Sequence, residues 1–176
     1  MFANKGLYVL PLIMLFMLAG SASGQTTRTY SLTQGDTHIP ASPLVYPDGS
    51  TTFHGAFVIG QVVSSVPATF TFSFGFRDTG VIDPVAGIYG GEILPPMSNF
   101  SVTELSGRKS VSTSGTIDSG TVTYRLTPDG RAEIISLVSN DLTVWEGKNK
   151  TRRAVGRGTV DYGTSAEGAG TLVLNF

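Results

Sequence analysis

Beyond its first two dozen residues the chain alternates between apolar and polar positions. From Ala68 to Phe76, Phe70, Phe72, Phe74 and Phe76 occupy every second place, with Thr69, Thr71, Ser73 and Gly75 between them. Alternate side chains of an extended strand share a face, so four rings line one side. The same period marks Thr27–Leu32, Thr51–Val63, Asn99–Leu105, Gly120–Leu126, Ala132–Ser139, Leu142–Glu146, Val155–Tyr162 and Gly168–Phe176. In Thr51–Val63 it places Phe53, Phe57, Ile59 and Val63 together. Ala86–Leu94 is apolar on both faces. No run has a helical period, and the count is roughly ten strands.

The residues between these runs suit antiparallel connections. Thr127-Pro128-Asp129-Gly130 predicts a tight turn joining Tyr124 and its neighbours to Ile134 as a hairpin, because proline presets φ and glycine takes a positive one. Asn140-Asp141 is a second predicted turn. Pro95-Pro96 is expected to end a strand, since proline cannot donate to a ladder. The remaining glycines read as turns and strand breaks. Gln34 to Ser50 (34–50) is proline-rich, lacks alternation, and is expected to loop over one end of the fold. Gly115–Thr121 and Gly158–Thr164 repeat a short motif, by chance or as equivalent hairpin positions. The expected fold class is therefore all-β: one antiparallel β-sandwich or β-barrel domain of roughly 8–10 short strands, spanning 25–176.

Residues 1–24 are a different polymer. Lys5 precedes an apolar run from Leu7 to Leu18, and Ala19-Gly20-Ser21-Ala22-Ser23-Gly24 follow. Basic, apolar, then small is the order of a secretory signal peptide, with cleavage expected before Gln25. The run is short of the ~20 residues that span a bilayer, and Pro11 interrupts it. The alternative is a retained anchor.

Composition narrows the chemistry. With no cysteine, disulfide scaffolds, zinc-thiolate centres and thiol nucleophiles are excluded. An exported chain without cysteine points to a bacterial envelope, secreted or periplasmic. Once Lys5 is removed with the signal, 11 basic residues face 13 acidic ones. That balance argues against a nucleic-acid partner.

The remaining candidates each have an ordinary reading beside the functional one. His38 and His54, with Asp36, are too few to define a metal site. Asp78 and Asp83 bracket a short segment that suits a turn or a calcium loop. Lys148, Lys150, Arg152, Arg153 and Arg157 cluster after Trp145, as a solvated hairpin tip or an anion site. The four-phenylalanine face is either core or the wall of an apolar ligand cavity. No residue is assigned a catalytic, cofactor-binding or metal-ligating role, and no cofactor is expected.

Three segments resemble known families. Asp78-Thr79-Gly80 resembles the active-site triplet of dimeric aspartic proteases, with Ala154-Val155-Gly156-Arg157 similar to their later apolar segment. Arg77 and Val81 depart from that pattern. The resemblance implies a shared pair of aspartates from two chains. The terminal strand, with Leu172, Leu174 and a final Phe176, resembles that of bacterial outer-membrane barrels, which implies an eight-stranded membrane barrel. Ser106-Gly107-Arg108-Lys109 to Ser114-Gly115-Thr116 resembles the hairpin of allene oxide cyclase and dirigent barrels, which implies a small barrel around an apolar ligand. The leading expectation is an exported, soluble binding module or cell-envelope component, taking a small apolar ligand or an envelope partner. The alternatives are an outer-membrane barrel, the sole reading with membrane association, and a small enzyme of cyclase or protease type.

Overall fold

The computed structural model describes residues 25–33, 38–40, 43–63, 66–147, 151–163 and 170–176. The signal segment 1–24 lies outside the described residues, as do Asp36, Lys148 and Lys150.

Alternation becomes one continuous antiparallel sheet. Its strands are β1 (Thr27–Leu32), β2 (His38–Pro40), β3 (Leu44–Val45), β4 (Thr51–Val63), β5 (Val66–Asp83), β6 (Ile88–Ser106), β7 (Lys109–Leu126), β8 (Arg131–Glu146), β9 (Arg153–Tyr162) and β10 (Gly170–Asn175). They follow the order β1-β10-β9-β8-β7-β6-β5-β4-β3, and β2 pairs with β8. From β4 to β10 the chain is an up-and-down meander, and β1 returns to pair with β10. The sheet rolls until β1 lies beside β4, with no ladder between those two among the described residues. The result is an incompletely closed barrel of eight main strands, with β2 and β3 short additions at one end.

Apolar rows fill the interior. Phe70, Phe72, Phe74 and Phe76 are all buried. On β6 they face Val102, Phe100 and Ile93, the ladder partners of Phe70, Phe72 and Phe76. Tyr30 packs its edge against Phe70 at 5.5 Å between centroids. The four-phenylalanine face is thus core. The opposite rows are polar: Thr69, Thr71, Arg77, Glu92, Asn99, Thr121 and Arg125 are exposed.

The predicted hairpin forms as expected. Tyr124 and Ile134 are ladder partners. The Gly130 N–H donates to the Thr127 carbonyl at 2.9 Å, and Gly130 has φ +79°. Thr27–Leu32 and Thr51–Val63 keep their expected bounds.

Several expectations are corrected. Pro95-Pro96 does not end a strand. Ala86–Leu94 and Asn99–Leu105 fuse into β6, and the prolines sit where the β6–β7 register jumps from Glu92 to Asn99. No ladder donor is needed there, so proline costs nothing. Asn140-Asp141 is likewise a bulge inside β8, between Ser139 and Leu142. Asp78-Thr79-Gly80 is a bulge within β5, and the hairpin turn comes after Asp83. Bulges of this kind let four strands run to 16 residues or more. Within the span expected as a loop, β2 pairs with β8 and β3 with β4. The first copy of the repeated motif lies within β7, and the second runs along β9 to Gly163, just past the strand's end, with Thr164 outside the described residues. Gly115 and Gly158 lie in β7 and β9, opposite Val144 and Leu142 of the strand between them.

Glycines also do more than punctuate. Gly55 is the ladder partner of Phe74, and Gly115 that of Phe100. A Cβ on Gly91 would lie 2.4 Å from the Phe76 ring. Rings occupy the volume these residues leave, which is one way a strongly curved sheet fills its interior.

Candidate functional site

The Phe70-Phe72-Phe74-Phe76 row does not end on an apolar residue. Its next inward position is Asp78, at the mouth where β3, the start of β4, the end of β5, the start of β6 and the β7–β8 hairpin meet. The bulge after Asp78 is shaped by Gly80, at φ +102°, whose N–H donates to Asp78 Oδ1 at 2.9 Å. The Tyr124 hydroxyl donates to the same oxygen at 3.0 Å. Oδ2 has no donor among the described residues.

Around this carboxylate lies a cleft of about 500 Å³, within the range of small-molecule sites. Phe53, Tyr89 and Tyr124 form its aromatic wall. Tyr89 and Tyr124 are ladder partners, stacked at 5.5 Å, and Phe53 lies 5.3 Å from Tyr124. Phe76 backs Tyr124 from the core at 4.9 Å. Pro43, Val45, Thr51, Leu126 and the Thr127–Gly130 turn complete the lining. The rim is apolar and exposed at Val45 and Leu126, with Val81, Ile82 and Val85 exposed on the neighbouring β5–β6 hairpin.

The electrostatics define what the cleft can do. Burial pushes the Tyr124 hydroxyl well above its ordinary pKa, and the hydrogen bond to Asp78 raises it further. Tyr124 therefore stays a protonated donor and is no base at neutral pH. Among the described residues the lining contains one carboxylate, no basic side chain and no second carboxylate.

A matching pair closes the opposite mouth. The inward row Phe100, Val102 continues to Glu104, and the Tyr30 hydroxyl donates to Glu104 Oε1 at 2.6 Å. Burial, then this hydrogen bond, pushes Tyr30 up to about 12. Here Arg28 reaches Glu104 Oε2 at 3.4 Å. Asp78 makes no ion pair among the described residues.

Other sequence candidates go elsewhere. Asp83 Oδ1 accepts from the N–H groups of Val85 and Ala86, so it caps the β5–β6 turn. The ladder row of Asp78 runs through Gly91, Val122 and Leu137 to Tyr162, so Ala154–Arg157 lies at another level of β9. His38 is in β2 and His54 in β4, with their side chains outside the described set. No group of three metal-ligating side chains occurs among the described residues. In the basic cluster, Arg152 lies over the Trp145 ring at 4.7 Å. Arg153 pairs with Glu146 at 2.6 Å, and Arg157 donates to Thr143 Oγ1 at 2.6 Å. In β10, Leu172 and Leu174 are buried in the core.

The sequence pattern places Phe53 on a strand face and Tyr124 in a hairpin, and points to no site at either or at Tyr89. One signal was available for the site: Asp78 continues the phenylalanine face without changing parity, which places a carboxylate inside. Compared with models of known protein families, with curated proteins and with solved structures, the chain matches none.

Proposed function

We propose that this chain is an exported, soluble β-barrel module that binds a small apolar ligand in the cleft beside Asp78. The observation that carries this reading is an aromatic-walled cavity of about 500 Å³ holding one hydrogen-bonding carboxylate. Apolar lining with a few convergent polar groups is the usual make-up of a small-molecule site. The polar outward rows on β5, β6 and β7 favour an exterior in water over one in lipid, since membrane barrels place apolar residues outward. Export rests on the pattern of residues 1–24.

The test is a fluorescence titration with N-phenyl-1-naphthylamine, which brightens in apolar surroundings. Saturable binding is expected, and Leu126→Trp at the rim should abolish it. Val111→Trp, at an exposed position near the β6–β7 hairpin, should bind as the wild type does. No saturable binding, or equal binding by Leu126→Trp, overturns the cleft. Release of the expressed protein without detergent supports the soluble reading, and recovery solely from detergent-extracted membranes refutes it.

A further inference from the structure

We propose that the ligand of this cleft is a cation, an organic ammonium on an apolar body. Its charged centre would lie beside the Asp78 carboxylate, in the cleft that Tyr89, Tyr124 and Phe53 line. The inference rests on the reading of the cleft as a ligand site and adds the ligand's charge.

The comparison of the two barrel mouths carries it. Each mouth holds a carboxylate at the end of an inward row, with a buried tyrosine donating to it. At the far mouth Glu104 spends both oxygens, one on Tyr30 and one on Arg28, so its charge is neutralised within the chain. At the cleft both described hydrogen bonds fall on Asp78 Oδ1. Oδ2 is left without a described donor, and no basic side chain lines the cavity among the described residues. One negative charge therefore faces an open cleft whose walls are largely aromatic and apolar.

The rings act in the same direction. Aromatic faces carry negative potential, and ammonium groups bind against them within about 6 Å of the centroid. Tyr124 lies 5.5 Å from Tyr89 and 5.3 Å from Phe53, so a cluster of rings stands beside the carboxylate and adds to its attraction for positive charge. An anionic ligand would meet repulsion from Asp78. A neutral one would leave its charge uncompensated.

The experiment uses the intact chain and an isosteric pair. Phenyltrimethylammonium and tert-butylbenzene have the same shape and differ in charge. Each is titrated as a competitor of bound N-phenyl-1-naphthylamine. The cation is expected to compete at about tenfold lower concentration, from cation–π and carboxylate attraction together. That advantage should shrink as salt is raised. Asp78→Asn should cut it to about twofold. Tyr89→Leu keeps the carboxylate and should lower the advantage without removing it. If Asp78→Asn fails to fold, the wild-type ratio, its salt dependence and Tyr89→Leu decide. Equal competition by the two compounds, or an advantage insensitive to salt, overturns the cation while leaving the cleft as a ligand site. If the fluorophore itself does not bind, the underlying reading fails instead.

Discussion

Gly115→Ala is the sharpest probe of how the interior is packed. Gly115 is buried in β7, opposite Phe100 of β6 and Val144 of β8. A Cβ there would lie 2.2 Å from the Thr143 carbonyl oxygen and 2.4 Å from the Phe100 ring. Both distances fall more than 1 Å short of ordinary contact, and neither neighbour is free to move. Thr143 is laddered to Thr116 on one side and Arg157 on the other. Phe100 is buried against the Phe72 row. Alanine in a strand gains about 0.5–1 kcal/mol over glycine from backbone entropy. Overpacking costs about 1–3 kcal/mol, and a clash with laddered backbone belongs at the top of that range. The net expectation is a loss of about 2 kcal/mol, or about 4–8 °C in Tm for a domain of this size. Calorimetry measures it directly. Phe100→Leu should restore part of the loss in the double variant, with a coupling of about 1 kcal/mol. Gly130→Ala is the control: nothing lies within 4 Å of its Cβ position, and φ +79° leaves backbone strain alone, about 1 kcal/mol. A Gly115→Ala protein as stable as wild type would refute the packing argument.

Two further predictions follow from the core and the buried tyrosines. Phe72→Ala should cost about 3–5 kcal/mol, measured by denaturant titration, and Phe72→Asp should not fold; a folded Phe72→Asp chain with near-ultraviolet ellipticity intact would show that this face lines a void. Tyr30, raised to about 12, and Tyr124, raised further, hold their protons in the folded state more tightly than an unfolded tyrosine near 10 does. Their contribution is complete below pH ~10 and is lost as pH climbs through the folded values, so alkaline unfolding should begin above about pH 10. Phenolate absorbance at 295 nm should track loss of fold for these two groups, and ionisation of Tyr30 near 10 in a native barrel would contradict the assignment.

Period-two alternation identified nearly every strand because each inward position here is apolar and each outward one polar over most of the length. Strand ends were harder. Pro95-Pro96 and Asn140-Asp141 carry strong local preferences for a break. Ladder pairing before and after them overrides those preferences, and the chain absorbs the misfit as bulges. Such an outcome depends on partners far along the chain, which local residue preference does not encode. The same holds for the cleft. Phe53, Asp78, Tyr89 and Tyr124 come from four strands, and their meeting depends on register across β4 to β7. Asp78 falls in a protease-like triplet, whereas its position depends on continuing the inward row of Phe70, Phe72, Phe74 and Phe76.

That row explains why the site is at a barrel mouth. β5 and β6 are antiparallel neighbours, and each carries an inward apolar row that ends in a carboxylate. Antiparallel pairing sends the two polar ends to opposite mouths, Asp78 to one and Glu104 to the other. A carboxylate is tolerable there because water is close and a tyrosine can present its ring to the core and its hydroxyl to the charge. By packing alone the two ends are equivalent, since both tyrosines are buried and both donate. Among the described residues the difference is Arg28 of β1. Arg28 reaches Glu104 and completes that end within the chain, whereas the Asp78 end remains open over about 500 Å³. A carboxylate at the end of an inward row, with a tyrosine beside it and no ion pair among the described residues, is the feature on which the proposed cation site rests.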